Sequence, residues 1–279
     1  MRNFVKNFKK DGKYLALILL IAVLLRGLGI HFGLPNFRFQ TDESFIASGI
    51  LEMKKSGIYT PTNAVYPTLI YYLLLFFSFF LKLVDHNKLV LIGRIISLIS
   101  GTLSVYLIYL IAKEFFNKKI ALFASFFLAI NFLDVVNSHY AKVDTPGAFL
   151  GLLSFFFAAK LIKERKTIYY ILCGVSLGLA FSMQYTQISF AIPFLIAHIF
   201  SFKKRISFKK AFSYLNKNLT IFIFFFLVVA FITNHYFFTN FGQFLASKSL
   251  FEKNAIAGVS MLSAHNINTP TWYFLYFIT

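Results

Sequence analysis

Residues 89–112, LVLIGRIISLISGTLSVYLIYLIA, carry one charge, Arg94, in an otherwise apolar run. At about 1.5 Å of rise per residue, such a run crosses the ~30 Å hydrocarbon core of a bilayer as an α-helix. The run offers no polar face that a water-exposed helix would need. It therefore reads as a membrane span with an arginine inside it. Intramembrane arginine is costly, and where it occurs it is paired or functional. Snorkelling to headgroups is the plainer reading, since Arg94 lies near the start of the run.

Similar apolar runs recur outward from this one, at about 14–34, 66–84, 120–137, 145–162, 167–183, 186–200, 219–239 and from 271. The chain has 279 residues, 58% of them hydrophobic and 39 of them Phe. A soluble domain has no use for that much apolar surface. The fold class is an all-α polytopic membrane protein, read as a single transmembrane domain over 1–279. Net charge is +18. The basic residues fall in short clusters between the apolar runs, which marks topology rather than nucleic-acid binding. Membrane lipids are the incidental partners of those clusters. Cys173 is the single cysteine, so an intrachain disulfide is excluded. The N-terminal run is long and contains Arg26, which favours a retained signal-anchor over a cleaved signal peptide.

The basic clusters are 2–13, 113–119, 160–166 and 203–217. If all four are cytoplasmic, an even number of crossings separates each from the next. Two apolar runs fill each of the last two gaps, but three fill the first. One of those three does not cross. The best candidate is 66–84, which opens on Tyr66-Pro67, is rich in aromatics and carries Lys82. It reads as an interfacial or re-entrant helix on the outer face. The N-terminus is then cytoplasmic and seven runs cross. A loop at 240–270 lies outside, and a further span begins at 271–279. The ending resembles a C-terminal truncation.

The same topology collects acids on the outer face. The first outer loop holds Asp42, Glu43 and Glu52. Residues 42–56 have apolar positions at 45, 46, 50, 51 and 53, the spacing of a short amphipathic helix lying on the membrane. The second loop, Asn137-Ser-His-Tyr-Ala-Lys-Val-Asp-Thr-Pro146, holds His139, Lys142 and Asp144. The third holds Glu252, His265 and Trp272. Helix capping is the plain alternative for both Asp42 and Asp144. Gly174, Gly178 and Ala180 read as a close helix contact.

The order of these motifs resembles the GT-C glycosyltransferases, in particular the group of protein O-mannosyltransferases and aminoarabinose transferases (glycosyltransferase family 39 type). A first span is followed by Thr41-Asp42-Glu43-Ser44 and then by Tyr66-Pro67-Thr68-Leu69. An Arg-headed span comes next, from Gly93-Arg94-Ile95 to Lys113-Glu114-Phe115, and then Ser138-His139-Tyr140-Ala141-Lys142-Val143-Asp144. The resemblance covers roughly 10–200, within a module of about 10–240. It implies a GT-C-type helical bundle with juxtamembrane helices in the first outer loop, and a polyprenyl-phosphate-linked sugar donor. It maps the catalytic carboxylate to Asp42 with Glu43 beside it, the second-loop acid to Asp144 and the membrane arginine to Arg94. The single Pro67 departs from the paired prolines common in that group. The additional C-terminal spans of the group are missing after Thr279.

The expected chemistry is inverting sugar transfer on the extracytoplasmic face. Asp42 serves as general base, and Glu43 raises its proton affinity by like-charge repulsion. Arg94, with Lys142 or His139, holds the donor phosphate. Asp144 orients the acceptor or Lys142. A divalent cation is left open, with Asp42, His139, Asp144 and His265 as candidate ligands. The acceptor is a protein, a glycan or a lipid. The rival readings are a lipid-linked sugar transporter or flippase, a non-catalytic membrane scaffold, and an inactive truncated homologue.

Overall fold

The computed structural model describes residues 2–35, 40–61, 66–82, 85–201 and 208–242, together with positions 245, 246 and 249. Side chains of 2–11 and 208–216 are excepted. Glu252, His265, Trp272, most of the loop 240–270 and the run from 271 lie outside the described residues.

The described residues form helices joined by turns, in the order α1 (Arg2–Gly27), α2 (Thr41–Ser56), α3 (Leu69–Phe80), α4 (His86–Phe115), α5 (Lys118–Ala129), α6 (Phe132–Ser138), α7 (Asp144–Glu164) and α8 (Thr167–Met183). A 3-10 turn, Tyr185–Phe190, leads into α9 (Ala191–Phe200), α10 (Phe208–Thr233) and α11 (His235–Thr239). By length and apolarity, α4 and α7 can each cross a membrane among the described residues. The α5–α6 pair, bent by 56°, makes a third span if it is counted as one. Leu69–Phe80, Thr167–Met183, Tyr185–Phe200 and Lys217–Thr233 are apolar but shorter. The chain is an integral membrane protein.

Two expectations from the sequence are altered. The run 120–137 is a broken helix rather than one rod, because Asn131 ends α5 and caps α6, its side chain accepting from the Asp134 N–H at 2.9 Å. The run 186–200 opens as a 3-10 turn, not an α-helix. The run 66–84 is helical only over Leu69–Phe80. Twelve residues give about 18 Å at α-helical rise, too short for the ~30 Å core. The shorter apolar helices also include Thr167–Met183 and Tyr185–Phe200, so length by itself does not single this run out as the one that does not cross.

Packing follows from small residues placed where helices meet. A Cβ on Gly174 would lie 2.5 Å from the Phe222 carbonyl oxygen, and one on Gly178 would lie 2.9 Å from that of Phe226. The two glycines let α10 press backbone to backbone on α8. Next to this contact, Cys173, Tyr170 and Leu177 of α8 pack with Ala158 and Leu161 of α7, Phe194 of α9 and Phe222 of α10. A second core joins α2, α3, α4 and the 141–143 turn through Ile46, Ile50, Met53, Tyr71, Leu74, Leu89, Ala141 and Val143. This second core includes the buried face of α2 that also carries Glu43.

A substitution pair tests the α8–α10 contact. Gly174→Ala places a methyl against a backbone carbonyl that has nowhere to go. It should lower the unfolding midpoint of the purified protein by the equivalent of about 1–3 kcal/mol. Gly12→Ala, where a Cβ meets nothing within 4 Å, should leave the midpoint unchanged or raise it.

Candidate active site

The site begins with the face that α2 buries. Glu43, Ile46, Ala47, Ile50 and Met53 are all buried, and their spacing is that of one helical stripe. Asp42 precedes the stripe by one residue, about 100° around the axis, and stays partly exposed. Adjacent in sequence, the two acids therefore face different surroundings.

Glu43 meets Arg94. Arg94 Nε donates to Glu43 Oε1 and Nη2 donates to Glu43 Oε2, both at 2.8 Å. Nη1 donates to the carbonyls of Ile30 at 2.8 Å and Phe32 at 2.9 Å. The Phe32 ring lies 4.4 Å from the guanidinium carbon. Arg94 is 0% exposed and Glu43 is 1% exposed. Glu43 Oε1 also accepts from the Ala141 N–H at 2.8 Å. One carboxylate thus ties α2, α4, the turn after α1 and the α6–α7 turn together. Gly93 makes the approach possible, since a Cβ there would lie 2.5 Å from the Ala141 side chain.

This geometry revises two expected roles. Arg94 has all three guanidine nitrogens bound within the protein, so it does not face an open site as a phosphate clamp. The Glu43 carboxylate is taken up by Arg94 and the Ala141 N–H rather than standing unpaired beside Asp42. His139 is similarly occupied: Nδ1 lies 2.8 Å from the Val135 carbonyl oxygen and Nε2 lies 2.9 Å from that of Leu28. It braces the turn after α1.

Asp42, Lys142 and Asp144 do come together. Lys142 Nζ lies 3.4 Å from Asp42 Oδ2 and 3.8 Å from Asp144 Oδ2, and all three side chains are partly open to solvent. Capping does not explain either acid. Gln40 is the N-cap of α2 and Val143 that of α7, and neither makes a side-chain cap bond. Asp144 instead accepts from Gln184 Nε2 at 2.8 Å, and Gln184 Oε1 accepts from Gln187 Nε2 at 2.6 Å. Tyr66 hydrogen-bonds Asp42. Burial first, then the Asp42 charge and that hydrogen bond, push its hydroxyl above the ordinary phenol range. Gln184 and Gln187 were not singled out from the sequence, and Tyr66 was read only as part of the Tyr66-Pro67 motif. The available signal was two glutamines three residues apart at the junction of two apolar runs.

The second intramembrane arginine has its own partners. Arg26 forms an ion pair with Asp134 and also donates to the carbonyls of Leu128 at 3.1 Å and Ala129 at 3.0 Å. It satisfies the end of α5 at the bend. Among the described residues, no group of three or more His, Cys, Asp or Glu is arranged to hold a metal ion. A cavity of about 400 Å³ is lined by Leu227, Val228, Phe231, Ile232 and Phe238 and contains none of these polar groups.

The family model described as dolichyl-phosphate-mannose-protein mannosyltransferase matches residues 66–231, more than half of the chain. The chain belongs to that family. The match includes Arg94, His139, Lys142 and Asp144 and begins after Asp42 and Glu43. The fold is similar to the oligosaccharyltransferase of Archaeoglobus fulgidus. Its apo form aligns with TM-score 0.57 at 15% identity, covering 94% of this chain and 39% of that one. A complex of the same enzyme, AglB, with an inhibitory peptide and a dolichol-phosphate aligns with TM-score 0.56 at 15% identity, covering 94% and 40%. A third structure, with Zn and sulfate, aligns with TM-score 0.54 at 15% identity, covering 90% and 40%. The chain thus spans about two fifths of the length of the oligosaccharyltransferase it matches. The shared fold is of the GT-C type. Sequence comparison with curated proteins gives no match.

Stability separates the two adjacent acids. Glu43→Ala leaves a buried guanidinium without its counter-charge and should cost about 3–5 kcal/mol. Asp42→Ala breaks a partly exposed pair and should cost no more than about 1 kcal/mol. Thermal unfolding of both variants in one detergent checks the difference.

Proposed function

We propose that the chain is the catalytic membrane module of a glycosyltransferase that moves a sugar from a polyprenyl-phosphate donor to an acceptor hydroxyl on the extracytoplasmic face. The observation that carries this reading is the cluster of Asp42, Lys142 and Asp144 on a GT-C fold, held over the buried Glu43–Arg94 pair. Family membership favours mannose as the sugar and a protein as the acceptor. The distribution of basic clusters favours a cytoplasmic N-terminus and, with it, a cluster on the outer side.

In this reading, the acceptor oxygen attacks the anomeric carbon while the bond from that carbon to the phosphate oxygen breaks. The electron pair leaves on the polyprenyl phosphate, and the acceptor proton passes to Asp42. A single displacement of this kind inverts the anomeric centre. Asp42 is the general base, oriented by Tyr66 and Lys142. Lys142, the partly exposed cation between the two acids, faces the phosphate as charge builds on it. Asp144 holds Lys142 in place and presents its exposed edge to the acceptor. Arg94, Glu43 and His139 position this set without touching substrate.

Asp42→Asn removes the base and keeps the shape. Transfer of mannose from dolichyl-phosphate-mannose to a threonine-containing peptide should fall by about 10²–10⁴-fold, with an unchanged unfolding midpoint. Transfer at the unaltered rate by the folded variant would remove Asp42 from this role.

A further inference from the structure

The two glutamines between α8 and α9 stand outside every role assigned so far. Gln184 and Gln187 lie on the turn that follows Met183, and both are half-buried. Gly147, in the first turn of α7, leaves the space they occupy. A Cβ on Gly147 would lie 3.3 Å from Gln184 Cβ, 3.3 Å from Gln187 Cγ and 3.4 Å from Gln184 Oε1. The glutamines are thus packed onto the same turn of α7 that carries Asp144.

The direction of the hydrogen bonds is set by chemistry. An ionised carboxylate only accepts, so Gln184 must turn its NH2 toward Asp144. Its carbonyl oxygen then faces the other way and needs a donor, which Gln187 Nε2 supplies at 2.6 Å. With Oδ1 of Asp144 taken by Gln184 at 2.8 Å, the other oxygen, Oδ2, is the one facing Lys142 at 3.8 Å. Lys142 in turn faces Asp42 at 3.4 Å. The chain Gln187–Gln184–Asp144–Lys142–Asp42 therefore runs through three separate connections of the fold.

We infer that Gln184, oriented by Gln187, is a positioning residue that fixes which edge of Asp144 faces Lys142 and thereby sets where Lys142 stands between the two acids. It rests on the proposed transferase reading but is testable without turnover. The 3-10 geometry of Tyr185–Phe190 fits this role, because it brings Gln187 back over Gln184, whose carbonyl oxygen accepts from the Gln187 backbone N–H at 3.0 Å.

The test uses Gln184→Leu and Gln187→Leu in the full chain, with Asp42→Asn as the comparison. Acetylation of Lys142 by acetic anhydride, followed by peptide mass spectrometry, reports the hold on its amine in the absence of any substrate. Gln184→Leu should raise the Lys142 labelling rate about tenfold and Gln187→Leu by a smaller factor, the scale of one hydrogen bond to a charged group. Lys113 labelling and the unfolding midpoint should not move. In mannose transfer, Gln184→Leu should raise the peptide KM more than it lowers kcat. An unchanged Lys142 labelling rate in folded Gln184→Leu overturns the inference. Undiminished transfer by Asp42→Asn instead overturns the catalytic reading and leaves the positioning result standing. If Gln184→Leu does not fold, Gln187→Leu and Gln184→Asn, which shortens the reach by one methylene, give the same labelling readout.

Discussion

A guanidinium sealed inside a membrane protein has to be matched on every side, and the bidentate bond between Arg94 and Glu43 is how this fold meets that demand. The pair is fully buried. Removing two charges from water is expensive, and the cost is recovered only with good geometry and with the remaining hydrogen bonds made. Here the remaining donors of Arg94 go to two carbonyls of the turn after α1, and Glu43 takes the Ala141 N–H as well. The charge requirement becomes an assembly rule: α2, α4, the first turn and the α6–α7 turn close around one point.

The placement of Asp42 follows from that closure. Once Glu43 is turned inward, the residue before it is turned toward the open side. The Ala141 bond draws the second loop in, and Lys142 and Asp144 follow it in sequence. The partly exposed cluster of Asp42, Lys142 and Asp144 is held over a closed, charge-neutral base. Arg26 and Asp134 form a second, partly buried pair at the α5–α6 bend, less completely matched because Arg26 Nε has no partner among the described residues, and tie the end of one broken helix to α1.

Much of this was legible in the sequence because hydrophobic run length and charge placement are direct physical consequences of a bilayer. Residues 89–112 read as a span from composition alone. The convergence of positions 42, 142 and 144 was legible because they fall in loops on one face. What sequence could not supply was the partner of each charge. Arg94 was expected to hold a phosphate, and its structure-made partner is Glu43, fifty-one residues away. Rotation about a helix axis decides that, and the α2 stripe becomes readable only once one knows that a charged residue belongs to it. Gln184 and Gln187 escaped notice because amides carry no charge signal, and because the 3-10 turn that aims them replaces the start of the run read as a helix from 186.

The most direct test of this account is a double-mutant cycle on the buried pair, with Glu43→Gln and Arg94→Met measured singly and together by thermal unfolding. The account predicts strong coupling: either single change leaves one buried group without its partner, and the double variant recovers at least about 2 kcal/mol of the summed loss. Losses that simply add would show that the two side chains act independently, and the closure on which the site depends would fail with them.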